Sequence, residues 1–209
     1  MKVLSIETTT KIGSIAVFEN ENLKKKFAWE SDDIAGEITE NLKNILKDEE
    51  ISNFDYFVVS LGPGSWTGIR VGISFVKGLA AGERKKIYGV YTPEGFFNFF
   101  KEYDYKVCCL VNAYRGKFYY SFNYKDEFLH TPIKIKEDSL ENIFKMIEKK
   151  TIIVGPGIAD IPQDYLLNPD LIIPHLSFTF PDAVLNGIVA IEKIKRNIPS
   201  PPLEPFYGR

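Results

Sequence analysis

The chain has 209 residues, enough for one large domain or two small ones, and its 44% apolar and 26% charged content is ordinary for a soluble globular protein. The formal net charge of −2 argues against a dedicated nucleic-acid binder, which is usually clearly basic. There is no paired-cysteine framework for a disulfide scaffold or zinc site, and no apolar stretch near the roughly 20 residues that a membrane helix needs.

The N-terminal apolar run is too short for a signal peptide, so a cytoplasmic protein is expected. Lys2–Glu7 reads as a strand, Thr8-Thr9-Thr10-Lys11-Ile12-Gly13 as a polar turn, and residues 14–19 and 23–30 as two further strands of a meander. The three threonines follow a carboxylate, Glu7. They suit either a phosphate or nothing more than a hydroxyl-rich surface turn. Asp32 or Asp33 caps a helix running to about Asp48, with Ile34, Ile38, Leu42, Ile45 and Leu46 on one stripe.

Residues 54–61 form a buried strand that leads into Gly62-Pro63-Gly64-Ser65-Trp66-Thr67-Gly68-Ile69-Arg70-Val71-Gly72, and residues 69–81 read as a helix. Pro63 fixes one φ, Gly62 and Gly64 permit dihedrals closed to other residues, and Ser65 or Thr67 caps the helix. Such a turn presents amides to an anion, or is a tight turn and nothing else. It is neither a P-loop nor a Gly-x-Gly-x-x-Gly fingerprint. Nor is it a nucleophile elbow, because Ser65 lacks the flanking Gly-x-Ser-x-Gly. Gly68 and Gly72 share a helix face, and Gly78, Ala81 and Gly82 continue a low-relief surface. Its close neighbour is either the chain's own sheet or another chain.

Lys86–Val90 reads as a strand, and Thr92 as the cap of a phenylalanine-rich helix over 93–101. The charged stretch 101–106 marks a boundary, placing one lobe at 1–103 and another at 104–209. The pattern then restarts. Lys106–Asn112 and residues 118–124 are strands around the turn Tyr114-Arg115-Gly116-Lys117. Residues 127–136 are a third strand, irregular at His130 and Pro132. A helix over 139–149 and a strand over 152–154 lead to Gly155-Pro156-Gly157 and a loop-rich stretch. Phe180-Pro181-Asp182-Ala183 opens a last helix that runs to about Asn197, with Val184, Ile188, Ile191 and Ile194 as its apolar face, and this helix is expected to pack back on the first lobe. Pro199-Ser200-Pro201-Pro202 stops it, and the tail is extended. Strand, strand, strand, helix, strand thus occurs twice, which suggests two similar α/β lobes. Cys108 and Cys109 are adjacent on a strand, so they point to opposite faces and read as small core residues.

Two hairpin tips fall at matching points of the lobes: Glu7-Thr8-Thr9 and Asn112-Ala113-Tyr114-Arg115-Gly116. Two-lobed ATPases grip a nucleotide between such tips, with an adenosine turn where Gly155 and Gly157 stand here. They place an aspartate in each tip; this chain has Glu7 and Asn112, and an asparagine is no base and balances no charge. Residual nucleotide binding at Glu7, Thr8, Thr9, Asn112, Gly155 and Gly157 is one reading. A small-molecule kinase or ATPase is the alternative function. His130 and His175 each stand alone, with no HExxH spacing, which speaks against a metallopeptidase, and no metal site is expected.

The stretch from Gly62 to Gly72 closely resembles the GPGSFTGLRIG-type signature of the TsaB (YeaZ) family. Leu4-Ser5-Ile6-Glu7-Thr8-Thr9 resembles the family's opening Leu-Ala-Ile-Asp-Thr-Ser, and Gly78-Leu79-Ala80 the end of its motif helix. Asn112-Ala113-Tyr114-Arg115-Gly116-Lys117-Phe118-Tyr119 resembles Asp-Ala-Arg-Arg-Gly-Glu-Val-Tyr, and Pro205-Phe206-Tyr207-Gly208-Arg209 the closing Pro-x-Tyr-x-Arg. Glu7, Asn112 and Tyr114 depart from it, as does Ile34, near where many members carry histidine. Residues 125–200 match only in length and pattern.

The resemblance implies a two-lobed actin-like ATPase (ribonuclease H-like) fold, each lobe a mixed sheet flanked by helices. It implies a non-catalytic partner of TsaD, working with TsaE to place threonylcarbamoyl on the adenosine beside the anticodon of tRNA. No cofactor of its own is expected, since ATP and Mg²⁺ act on the partner proteins, and tRNA is met indirectly. It also implies a partner surface on the helices near 33–48 and 67–82, which a homodimer would share. Ile38, Leu42 and Ile45 of the first helix and Gly68, Gly72, Phe75 and Val76 of the second are its expected residues.

Overall fold

The computed structural model describes residues 1–47 and 49–208, without the side chains of Leu176 and Ser177. The expected helix end at Asp48 and the Arg209 of the closing motif lie outside the described residues. The elements in chain order are β1 (Lys2–Glu7), β2 (Ile12–Glu19), β3 (Asn22–Glu30), α1 (Ile34–Leu46), β4 (Tyr56–Ser60), α2 (Trp66–Glu83), β5 (Lys86–Val90) and α3 (Thr92–Phe100). There follow β6 (Lys106–Asn112), β7 (Lys117–Tyr124), α4 (Glu127–His130), β8 (Lys136–Ser139), α5 (Leu140–Lys145), β9 (Thr151–Val154), α6 (Gln163–Leu166), β10 (Leu171–Ile172) and α7 (Ala183–Lys195).

The chain divides into two compact units. One comprises Met1–Gly95 with Asp182–Phe206; the other comprises Phe96–Pro181 and the chain end from Tyr207. The division expected between 103 and 104 thus falls earlier, within α3. Its cause is packing: Phe96 and Phe97 are fully buried, and Phe97 meets Phe128 of the second unit.

Each unit is built on a five-stranded mixed sheet, ordered β3-β2-β1-β4-β5 in the first and β10-β9-β6-β7-β8 in the second. Numbered within its own unit, each sheet has the order 3-2-1-4-5, so the repeated pattern of the sequence is a repeated topology. In the first sheet β1 pairs antiparallel with β2 and parallel with β4, and β4 pairs parallel with β5. Parallel strands need crossover connections, and α1 and α2 supply them. Leu4, Ile6, Val17, Phe57, Val59, Ile69, Ile73 and Val76 form the buried core between this sheet and its helices. The second core gathers Leu110, Phe118, Ile143, Phe144 and Ile153.

Local chemistry sets the element ends. Asp33 caps α1 by accepting from the Gly36 amide at 3.1 Å. Ser65 caps α2 by accepting from Gly68, so α2 begins at Trp66, three residues before the expected start. Thr92 lies inside α3 rather than capping it; its hydroxyl bonds the Pro63 carbonyl, while Glu94 reaches back to the Tyr91 amide.

The strand expected over 127–136 is instead the single turn α4 followed by loop. Asn123 accepts from the Phe128 amide, which closes the chain into a turn and sends the adjacent Phe128 and Leu129 side chains into the core. The face of α7 also differs. It buries Ala183, Asn186, Gly187, Val189, Ala190 and Ile191, leaving Ile188 exposed. Phe18 of β2 packs where a side chain on Gly187 would sit, and this fixes the rotation of the helix on the first sheet. Cys108 and Cys109 are buried and free. Burial pushes the Cys108 thiol well above its ordinary pKa.

Candidate functional site

The glycine-rich turn and the first hairpin tip lock together. The Ser65 amide donates to the Thr9 carbonyl at 2.6 Å, and Thr8 Oγ1 donates to the Gly68 carbonyl at 2.8 Å. A Cβ on Gly64 would lie 2.5 Å from the Thr9 carbonyl oxygen, and one on Gly68 would overlap the Thr8 carbonyl oxygen. Gly72 faces the Thr8 hydroxyl. The glycines of the motif therefore make room for the chain's own β1–β2 turn. Two of the amides at the start of α2, those of Ser65 and Gly68, are satisfied internally by the Thr9 carbonyl and the Ser65 hydroxyl.

Glu7 lies beneath this lock with no exposed surface. Its two oxygens accept from the Thr9 amide and from Asn186 Nδ2 of α7, the latter at 2.7 Å. Burial raises its pKa, and hydrogen bonds from Thr9, Asn186 and Ser60 only partly oppose that. Thr8 and Thr9 are equally buried. A second polar tie joins α7 to the same unit: Lys193 pairs with Glu94, both almost fully buried. Sequence reasoning missed both Asn186 and Lys193. The available signal was two polar residues seven apart on the otherwise small, apolar side of α7.

A cavity of 230 Å³ opens beside the turn, lined by Thr10, Lys11, Asp32, Asp33, Ser65 and Thr67. Lys11 is already paired with Glu30 at 2.6 Å, and two carboxylates share the wall, so the lining does not favour an anion.

In the second unit Asn112 Oδ1 accepts from the Tyr114 amide at 2.7 Å. Tyr114, Arg115 and Gly116 are all left-handed, with φ of 64, 53 and 75°. A cavity of 520 Å³ lies under this tip, walled by Asn112, Tyr114, Arg115, Asp160 and Tyr165 among others. Gly155 and Gly157 abut the Leu110 backbone and serve packing within that unit. Glu7, Thr8 and Thr9 thus lie in one unit and Asn112, Gly155 and Gly157 in the other. Within the first unit, Glu7 offers no free carboxylate oxygen to a cation. Both Glu7 oxygens are bonded inside the chain, and the threonines beside it are sealed. Among the described residues no group of three or more His, Cys, Asp or Glu could hold a metal ion. No described helix is long and apolar enough to cross a membrane.

The residues expected at a partner surface mostly serve the core. Ile38, Leu42, Gly68, Gly72 and Val76 are buried against the first sheet or its turn. Ile45 and Phe75 are half-buried and pack on the same core. For Gly68 and Gly72 the close neighbour is the chain itself. The other small residues of α2 turn outward. Thr67, Ser74, Gly78, Ala81 and Gly82 are exposed, and Val71 is half-exposed. Positions 67, 71, 74, 78 and 81 fall on one stripe. A Cβ added at Gly78 or Gly82 would meet nothing within 4 Å. This stripe carries no charge and little relief. Its flank carries exposed Trp66, with the Arg70 guanidinium 4.0 Å from its ring centroid.

Comparison with known proteins agrees with the signature. The family described as TsaD, tRNA N6-adenosine threonylcarbamoyltransferase, matches residues 31–179, well over half of the chain. The tRNA threonylcarbamoyladenosine biosynthesis protein TsaB of Buchnera aphidicola subsp. Schizaphis graminum is 28% identical over 176 residues, covering 78% of this chain and 81% of that one. The TsaB protein of Escherichia coli K12 is 24% identical over 168 residues, covering 75% and 72%. The solved structure of YeaZ from Pseudomonas aeruginosa aligns with a TM-score of 0.78 at 15% identity, over 99% of this chain and all of that one. The two mixed sheets flanked by helices are thus the actin-like arrangement that the resemblance implied.

Proposed function

Because the chain belongs to the family of TsaD, the tRNA N6-adenosine threonylcarbamoyltransferase, and is similar to its TsaB (YeaZ) members, we propose that it acts in tRNA threonylcarbamoyladenosine biosynthesis as a non-catalytic partner of a TsaD protein. A TsaE homologue completes the assembly in this reading, and tRNA is met through the complex.

The observation that carries the proposal is the division of labour along α2. Its inward glycines clasp the β1–β2 turn, while its outward stripe of Thr67, Ser74, Gly78 and Ala81 has no charge and no bulk. Small residues let the backbone of a second helix approach closely, and the depletion of charge suits the centre of an interface. The stripe replaces the buried positions expected from the sequence as the docking face. The closed setting of Glu7 supports a non-catalytic part: a carboxyl bonded at both oxygens and shut from solvent cannot position a nucleotide-bound cation.

Reconstitution tests the reading. Transfer of threonylcarbamoyl to tRNA is measured with TsaD and TsaE, with and without this chain, and with this chain alone. Transfer that depends on the chain, with none from the chain by itself, supports the proposal. Transfer or robust ATP turnover by the isolated chain contradicts it.

A further inference from the structure

β5 is one edge of the first sheet. A bare edge presents unpaired amides and carbonyls on which a strand of another molecule can build. Here the edge is overlaid at Tyr88 and Gly89 by a segment of the same unit. Beyond α7 the chain runs through residues 198–206 with no regular secondary structure. Tyr88 of β5 donates its hydroxyl to the Ile198 carbonyl at 3.1 Å, and the Gly89 amide donates to Ser200 Oγ at 2.9 Å. Leu203 packs on the core, and its carbonyl accepts from Lys77 Nζ of α2 at 3.0 Å. The Phe206 amide donates to the Leu61 carbonyl at 2.9 Å, and its ring meets Tyr91 edge-on at 6.2 Å.

The composition of this strap matters as much as its contacts. Pro199, Pro201, Pro202 and Pro205 have no amide hydrogen, so four of its nine residues cannot donate to a further strand. The strap bonds the Gly89 amide and packs beside Tyr88 without itself becoming a new edge. The opposite edge, β3, is blunted differently, by the lysine run Lys24-Lys25-Lys26. β5 carries only Lys86 at its start and continues Ile87-Tyr88-Gly89-Val90.

We propose that residues 198–206 guard the β5 edge, and that loosening them lets β5 pair with β5 of a second copy of the chain. The strap is tied by side chains that can be removed singly, so the idea is testable in the full-length protein. All variants carry Gly78→Arg, which blocks the outward stripe of α2 and separates this edge from the docking face proposed above; the guard itself does not depend on that proposal. Into this parent are placed Ser200→Ala, or Ser200→Ala with Leu203→Asp. Amide exchange at Gly89 and mass in solution over a concentration series are then compared with the parent. The expected result is exchange at Gly89 at least about fivefold faster, the equivalent of one hydrogen bond. Amides of β1 keep their protection, and average mass rises with concentration beyond the parent. Unchanged exchange at Gly89, or faster exchange with no gain in mass, overturns the proposal. Should Leu203→Asp loosen β1 as well, Ser200→Ala alone supplies both readings.

Discussion

Replacing Gly68 by alanine, beside the same change at Gly78, separates the two faces of α2. At Gly68 the new methyl group overlaps the Thr8 carbonyl oxygen. That oxygen cannot retreat cheaply, because Thr8 is buried and bonded to the Gly68 carbonyl, while the next residue, Thr9, accepts from the Ser65 amide. Overpacking against fixed backbone costs about 1–3 kcal/mol. Greater helix propensity returns at most about 0.5–1 kcal/mol. The overlap with the Thr8 carbonyl is severe enough to take the upper part of that range, about 2–3 kcal/mol, so the net expectation for Gly68→Ala is a loss of about 1–2.5 kcal/mol. At Gly78 nothing lies within 4 Å of the new atom, so only the helix gain remains, about 0.5–1 kcal/mol of stabilisation. Urea unfolding at fixed pH measures both, with an unchanged slope expected and midpoints moving in opposite directions. If Gly68→Ala leaves the midpoint unchanged or raises it, the lock between α2 and the β1–β2 turn is wrong. If Gly78→Ala lowers it, the outward face is wrong.

Three further outcomes follow from the buried polar groups and the strained tip. Burial raises the Glu7 pKa, so its contribution to stability is complete below the unfolded carboxyl value near 4.5 and declines as pH rises towards the raised folded value. Glu7→Gln removes that dependence. Its stability relative to the parent, from urea midpoints at pH 5 and pH 8, should improve at the higher pH, the new amide donating to Asn186 Oδ1 after that side chain flips; a gap independent of pH contradicts this. Lys193→Met strands the buried Glu94 carboxylate and should cost about 3–5 kcal/mol, much of it recovered by adding Glu94→Gln; additive losses in the double variant would show that the pair is not coupled. Tyr114→Asn relieves a left-handed residue of part of its roughly 1–2 kcal/mol strain and should raise the midpoint by about 0.5–1 kcal/mol, whereas a fall would point to a packing role for the exposed ring.

The first sheet was legible from its apolar runs, because strands buried on both faces, such as β1 and β4, leave continuous hydrophobic stretches. The strand-turn-helix at Gly62–Gly72 was legible because tight turns restrict residue choice. The inward or outward sense of each small residue on α2 was not. Gly68 and Gly78 are the same residue type, and only tertiary contact tells a notch for Thr8 from open surface. The buried face of α7 is hidden from the sequence for a related reason. Its small residues, Ala183, Gly187 and Ala190, pack closer to the sheet than Ile188, so hydrophobicity alone pointed the wrong way. Residues 127–136 look like a strand in the sequence because the turn there is closed by an Asn123 side-chain bond that no periodicity announces.

The central claim is that the outward stripe of α2 docks a TsaD protein. The most direct test is the affinity of this chain for TsaD from the same organism, measured by calorimetry with the parent and with Gly78→Arg. Open space at Gly78 means the arginine leaves the fold intact, which unfolding of the same sample confirms. The account predicts a loss of affinity of at least about 100-fold, the scale of one central interface position. An unchanged affinity in a stably folded variant would contradict it.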